Sequence, residues 1–321
     1  MTADRPQELP SRRLHRIDND VIIFAGSGTA FHEEEGNHLL STPRLSSTQP
    51  TTVISPAKSW VPLNLRELWQ YRELLGFLVA RDIKVKYKQT FLGIAWAVLQ
   101  PFAYTLVFTL FFGRLAQVPS EGQPYALFSF TAMVLWTYFQ TALNFSSTSL
   151  VTNAHLVSKI YFPRLLLPAS ASMAGLIDLL VSMVFLVPIL IYYDVALTSR
   201  MFLAVPFILL ALITALGVGM WLSAINIKYR DVQYTIPFLT QLWLFVSPVV
   251  YPSSMVPEKW RMLYGLNPMV AVIEGFKWAI LPDMPFPSPD MMKISILISV
   301  AIFIGGMFYF RRLEKEFADV V

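Results

Sequence analysis

Six long apolar runs dominate the chain: Phe91–Phe112, Tyr125–Phe145, Pro168–Tyr192, Met201–Ile225, Tyr234–Val250 and Ile294–Phe310. Each falls within or near the ~17–25 residues that carry an α-helix across a ~30 Å hydrocarbon core, so the pattern predicts six transmembrane helices. Pro101, Pro188, Pro206, Pro237 and Pro248 lie inside these runs and predict kinks. Neighbouring helices of a bundle can re-satisfy the carbonyls that a proline frees. Between the fifth and sixth runs the pattern shortens. The stretch from Tyr251-Pro252 to Pro282 holds two helical pieces, about Pro257–Tyr264 and Pro268–Leu281. Asn267-Pro268 opens the second as an Asn cap with Pro at the first helical position. At 1.5 Å per residue that piece reaches only about 21 Å, so it predicts a re-entrant or gate helix rather than a further span.

Upstream of the first run the periodicity changes character. From Asn64 to about Gln89, Leu68, Tyr71, Leu75, Leu78 and Val79 recur at helical spacing, with Arg66, Glu67, Gln70 and Glu73 on the other side. The segment then turns basic at Arg81, Lys84, Lys86 and Lys88. An amphipathic, aromatic and basic helix is suited to the membrane interface, and residues 59–90 are read that way. Residues 1–58 are polar, with Glu33-Glu34-Glu35, three of the four histidines and a Ser/Thr/Pro tract from Ser41 to Ser55. They predict a disordered cytoplasmic tail. Residues 91–321 are then the transmembrane domain, in an all-α integral membrane fold.

Composition narrows the function. Hydrophobic residues make up 55% of the 321 and charged residues 14%, and the mean hydropathy is +0.52. Soluble domains run near 25% charged, so this chain has too few charges to cover a water-facing surface. The pI of 9.2 reflects topology rather than nucleic acid. With the N-terminus in the cytoplasm and six spans, Lys and Arg beyond the tail fall thirteen to six in favour of the inner segments, as the positive-inside rule requires. Both termini are thereby predicted on the cytoplasmic side of a bacterial inner membrane.

Covalent chemistry finds no residues to carry it. The chain has no cysteine. Ala25-Gly26-Ser27-Gly28-Thr29 lacks the Gly-Lys-Ser/Thr ending of a phosphate loop, and His32 and His38 lack the spacing of a helix-borne metal site. Beyond the tail the only histidine is His155, so no catalytic triad can be assembled. One ionisable residue sits deep in a run: Asp178, whose insertion costs roughly 2.5–3.5 kcal/mol. It either faces the bundle and accepts hydrogen bonds from a neighbouring helix or another subunit, or serves as the proton relay of a proton-coupled secondary transporter.

Five ordered motifs point further. Arg81-Asp82-Ile83-Lys84-Val85-Lys86-Tyr87-Lys88-Gln89-Thr90-Phe91-Leu92-Gly93, with Trp96 and Gln100-Pro101, is the first. Ser158-Lys159-Ile160-Tyr161-Phe162-Pro163-Arg164, Asn226-Ile227-Lys228-Tyr229-Arg230-Asp231-Val232 and Ser247-Pro248-Val249-Val250-Tyr251-Pro252 follow. Leu266-Asn267-Pro268-Met269 with Glu274-Gly275-Phe276 completes the set. Over residues 59–281 the chain resembles the type-2 ATP-binding-cassette export permeases that move O-antigen, capsule and teichoic-acid polysaccharides. The resemblance implies a homodimer with two copies of a separate ATPase, which would bind ATP and Mg; this chain would hold no cofactor. The cargo it implies is a glycan on an undecaprenyl-diphosphate lipid.

Within that frame the resemblance places the main ATPase-coupling contact between the second and third runs, at Asn153, His155, Leu156, Lys159, Tyr161, Phe162 and Arg164. It places a second at Lys228, Tyr229, Arg230 and Asp231. Exposed Tyr and Phe there suit a partner's groove or the membrane surface. Arg81, Lys84, Lys86 and Lys88 are candidates for the lipid head group, or plain membrane anchors. Three helical faces mix aromatic rings with one amide: Trp96, Gln100 and Tyr104; Trp136, Phe139 and Gln140; and Tyr234, Phe238, Gln241 and Phe245. Such faces can stack on sugar rings and hydrogen-bond hydroxyls along a path, or anchor spans at the interface.

Overall fold

A computed structural model describes residues 65–314, apart from Gln89 and Phe91, together with Phe317. The tail at 1–58 and the first residues of the 59–90 segment lie outside the described residues. Among those described, every regular element is a helix.

Helices α1 (Leu65–Gln70) and α2 (Arg72–Tyr87) come first. A 3-10 turn leads into α3 (Trp96–Phe108), which continues as a π-helix over Thr109–Leu115. Next come α4 (Tyr125–Thr152) and the short α5 (Ala154–Lys159). Helices α6 (Leu166–Ala174) and α7 (Leu176–Tyr192) share one axis, interrupted at Gly175. Helix α8 (Ala204–Lys228) is followed by α9 (Val232–Val246), α10 (Glu258–Tyr264), α11 (Pro268–Ile280) and α12 (Pro289–Leu313). Five segments are long and apolar enough to cross a membrane: Gly93–Leu115, Tyr125–Thr152, Leu166–Tyr192, Ser199–Lys228 and Pro289–Leu313.

The fifth apolar run, expected as a kinked spanning helix over Tyr234–Val250, is helical only as far as Val246. Helix α9 has 15 residues, about 22 Å at 1.5 Å per residue, short of a ~30 Å core. Ser247 is extended, at φ −101° and ψ 155°. Pro248 is the reason: it has no N–H to give the helix and drives the residue before it out of the α region. The chain leaves helical geometry inside an apolar run, and its freed carbonyls find side-chain donors. Val246 O accepts from Asn267 Nδ2 at 3.2 Å, Pro248 O from Lys277 Nζ at 3.1 Å, and Val250 O from the Tyr125 hydroxyl at 2.7 Å.

Two of those donors come from α11. Its N-cap is Asn267, whose Oδ1 accepts from the Met269 N–H at 3.0 Å and from Trp243 Nε1 at 2.9 Å. Helix α11 is buried along nearly its whole length. Lys277, 0% exposed, reaches Glu274 Oε1 at 2.8 Å and lies 3.9 Å from the centre of the Phe128 ring. The structure gives α11 thirteen residues, so its reach of about 20 Å falls short of a ~30 Å core.

The main core gathers α4, α7, α8, α9 and α11 around Trp136, Phe139, Met269 and Phe276. A second core lies at the end of the bundle where α5 sits, with Leu78, Val157, Phe162, Ile227, Phe310 and Phe317. Helices α8 and α12 touch backbone to backbone. A Cβ on Gly217 would stand 2.7 Å from Phe303 Cα, and one on Gly306 2.5 Å from Gly217 O. Small residues permit that approach where no hydrophobic effect drives helices together. Leu68, Tyr71, Leu74 and Leu75 pack on the second core, as the sequence periodicity predicts, whereas Trp69, Phe77 and Val85 face outward.

Removing Lys277 should cost far more than removing the ion pair as a whole. Lys277→Met leaves a buried carboxylate without its cation, an expected loss of about 3–5 kcal/mol. Thermal unfolding of the detergent-solubilised protein should drop sharply for Lys277→Met and recover in part for Lys277→Met combined with Glu274→Gln.

Candidate functional site

A cavity opens between α2, α3, α4 and α7, with a volume of about 230 Å³. Local sequence shapes its mouth. Helix α2 ends at Tyr87, and Gly93 adopts φ +50°, a left-handed value that glycine takes without strain. That turn carries the chain from α2 into α3 and puts Trp96 and Gln100 on one wall. Thr141 and Tyr138 come from α4, and Asp178 and Ser182 from α7.

Asp178 is the chemical centre of this cavity. Lys86 Nζ and the Tyr87 hydroxyl both donate to its carboxylate, one to each oxygen. Lys86 also lies 5.3 Å from the Phe145 ring centre. One turn earlier on α2, Asp82 accepts from Ser170 Oγ at 2.9 Å and pairs with Arg81 at 2.7 Å. Ser182 Oγ donates to Ala97 O at 2.7 Å, fixing α3 against α7. Helix α2 is therefore pinned to α6 and α7 by charged and polar contacts. Among the described residues, the partners of Asp178 are on α2, and no second acidic side chain lines the cavity with it.

The four candidate head-group cations divide. Arg81 and Lys86 are half-buried and paired with carboxylates, whereas Lys84 and Lys88 are exposed. The sequence treated them as one basic patch, because the acid that neutralises Lys86 lies 92 residues away in the chain.

The three aromatic faces also divide. Tyr234, Phe238, Gln241 and Phe245 form an exposed stripe along α9, with Tyr234 75% and Phe238 64% exposed. Trp96 and Gln100 are exposed on α3, and Tyr104 is half-buried beside Phe108, whose ring lies 6.3 Å from that of Phe245. Helices α3 and α9 thus present neighbouring aromatic faces. The α4 set sits differently. Trp136 and Phe139 are fully buried and packed against Trp243, at 6.5 and 5.2 Å between ring centres, and Gln140 is half-buried. In this conformation they belong to the core and form no open wall. Helix α4 is the central element of the bundle, so both its sides are covered.

At the other candidate surface, α5 exposes His155 and Lys159 and leaves Leu156 half-buried, and the chain just after it exposes Tyr161, at 86%. Phe162 does not share the exposure expected of it: it is 7% exposed and packs in the second core with Val157 and Ile227. Phe162, four residues before α6 begins, has a core to reach, and sequence spacing alone did not separate it from Tyr161. Asn153 Nδ2 donates to Ser149 O at 2.8 Å. Arg164 donates its N–H to Glu314 Oε1 at 3.0 Å and its guanidinium to Glu314 O at 2.6 Å. Arg311 joins the same carboxylate at 3.0 Å and approaches Glu67 at 3.6 Å. Lys228, Tyr229, Arg230 and Asp231 are exposed at the end of α8. Asn226, buried, donates to Ser147 O at 3.1 Å and ties that end to α4. Both candidate contact loops therefore stand on one shared core.

The family model described as ABC-2 type transporter matches residues 73–281. The O-antigen export system permease protein RfbA of Myxococcus xanthus is 29% identical over 259 residues, covering 80% of this chain and 98% of that protein. The protein of the same name from Klebsiella pneumoniae is 25% identical, with coverage of 78% and 95%. The polysialic acid transport protein KpsM of Escherichia coli is 23% identical, with coverage of 74% and 92%.

The Asp178–Lys86 contact should show up as coupling between two variants. Asp178→Ala and Lys86→Ala should each lower thermal stability, and the double variant should lose less than their sum by about 0.5–3 kcal/mol. Additive losses would mean that the two side chains do not meet.

Proposed function

Because this chain belongs to the ABC-2 type transporter family, we propose that it is the membrane permease of a polysaccharide exporter. It works as a homodimer with two copies of a separate ATPase and carries a lipid-linked glycan out across the bacterial inner membrane. The observation that carries this reading is the near full-length similarity to permeases named for O-antigen export and polysialic acid transport. The multi-pass helical architecture agrees with it.

The geometry supports a division of labour along the molecule. Energy enters at the end where α5 and the Lys228–Asp231 loop are exposed over a common core, with Tyr161 as the aromatic knob for the partner's groove. ATP and Mg reside on that partner. The diphosphate head group is drawn to Lys84 and Lys88, the exposed members of the basic run. The glycan travels along the aromatic and amide faces of α3 and α9, where rings stack on sugar C–H faces and Gln100 and Gln241 hydrogen-bond hydroxyls. Loose, repeated contacts let a long polymer slide, since conduction needs sites weak enough to leave. Both termini stay in the cytoplasm, in keeping with the excess of inner cations.

Deleting the gene should abolish surface glycan and leave lipid-linked glycan inside the cell. An affinity-tagged chain should co-purify with an ATPase that carries a phosphate loop. Normal surface glycan in the deletion strain would overturn the reading.

Coupling and topology make separate predictions. Tyr161→Ala should leave membrane abundance unchanged and reduce stimulation of the partner's ATP hydrolysis. Phe162→Ala should instead destabilise the permease by about 3–5 kcal/mol, as truncation of a buried ring does. Since the chain has no cysteine, introduced ones report their side directly. Ser254→Cys should react with an impermeant maleimide from the periplasm, and Lys159→Cys and Arg312→Cys only after the inner membrane is breached.

A further inference from the structure

The cavity at Asp178 has features that membrane anchoring of α2 does not require. An ion pair that merely stapled α2 to α7 would be best closed off from its surroundings. Instead the pair faces a cavity of about 230 Å³ with Gln100 and Thr141 on its walls and the half-exposed ring of Trp96 at its side. The carboxylate is 14% exposed. Two donors reach it, whereas a carboxylate offers about four lone-pair sites. Lys86 has three N–H donors and gives one to Asp178. Acceptors and donors therefore both remain for a ligand, joined by an amide and a hydroxyl.

Charge decides which ligand. Lys86 and Asp178 neutralise one another, so the cavity offers no net positive charge to a phosphate, and its carboxylate opposes one. A neutral polyol meets no such opposition. Each sugar hydroxyl both donates and accepts, matching a site where a carboxylate, an ammonium, an amide and a hydroxyl converge. Trp96 supplies a ring for the sugar's apolar face. The volume lies below the ~300–1,000 Å³ of drug-sized ligand sites, which suits a single ring rather than an oligosaccharide. The cations that remain exposed, Lys84 and Lys88, flank Lys86 in the same stretch of chain.

We propose that the cavity between α2, α3, α4 and α7 is a saccharide subsite, in which Asp178, Lys86, Gln100, Thr141 and Trp96 hold the sugar ring nearest the lipid diphosphate. This rests on the polysaccharide-export reading and adds to it a recognition step. The permease grips the first sugar at the level of the third span before the rest of the glycan enters the path along α3 and α9. Asp178 thereby has a binding role besides its structural one, and a bare lipid diphosphate lacks the ring that fills the cavity.

Site-specific photo-crosslinking in the cells that naturally produce this protein tests the proposal with their own glycan. p-Benzoylphenylalanine is placed at Trp96 in the cavity wall, at Phe238 on the α9 stripe and at Val184 on the outward face of α7, which is 68% exposed. Adducts are separated on gels and stained for carbohydrate before and after mild acid, which cleaves sugar from diphosphate. The position-96 adduct should stain for sugar and keep that stain after acid, which releases only the lipid diphosphate. Loss of the stain in acid would mean capture through the lipid and overturns the subsite. The position-184 adduct should carry no sugar. Asp178→Asn and, separately, Thr141→Val should each lower the position-96 sugar adduct about tenfold at equal membrane abundance, the effect of losing one hydrogen bond to a charged group or its equivalent. The position-238 adduct per exported glycan should stay unchanged. A sugar adduct at 238 with none at 96 overturns the subsite while leaving the export reading intact. So does a position-96 adduct that both variants leave at full strength, or one that contains lipid alone. Absence of sugar adducts at both 96 and 238 overturns the export reading itself.

Discussion

A peptide carbonyl in hydrocarbon has no water to turn to, and the chain after α9 frees three of them within five residues. Val246, Pro248 and Val250 each find a donor from another element: Asn267, Lys277 and Tyr125. Non-helical backbone inside a membrane survives only where protein supplies such partners. The break at Ser247-Pro248 is thereby tied to the presence of α11, and α11 to the burial of a lysine. Lys277 in turn needs Glu274, whose carboxylate also accepts from the Ser253 N–H at 3.4 Å. One chain of obligations links α9, the extended segment, α11 and the turn before α10.

The far end of α11 is held by a different device. Arg200, at the start of the fourth span, stacks 4.0 Å from the Trp278 ring centre and donates to Pro282 O at 2.7 Å. Trp278 meets Phe286 edge-on at 5.0 Å. A guanidinium both stacks and hydrogen-bonds, which a lysine ammonium does less well. Capped by Asn267 at one end and clasped by Arg200 at the other, α11 is fixed at both ends, whereas the cavity at Asp178 lies against α2. The two buried-charge sites serve different jobs: one replaces missing backbone partners, the other faces open space.

Much of this was legible from residue order. Apolar runs located the spanning helices, Asn267-Pro268 marked the start of α11 to the residue, and the Leu/Tyr periodicity of 68–79 marked the packed side of α1 and α2. Periodicity says which residues share a face but not what covers it. Trp136 and Phe139 share a face as predicted, yet Trp243 covers them, and Phe162 turns inward where its neighbour Tyr161 turns out. Long-range pairing was the larger gap. Asp178 looked unpartnered because Lys86 is remote in sequence and was read with its basic neighbours. The early end of the fifth helix has a local reason that was in view: Pro248 follows Ser247, and helices end before such pairs.

The contact of Gly217 with Gly306 has a mechanical consequence. Backbones that touch leave no slack, because no side chain lies between them to change rotamer and absorb a shift. Helices α8 and α12 must therefore move as one beam, with Trp221 stacked on Tyr309 at 4.4 Å as a cleat along its side. Stiffness is in this way concentrated on one flank of the molecule. Helices α3 and α9, by contrast, each leave a broad face uncovered.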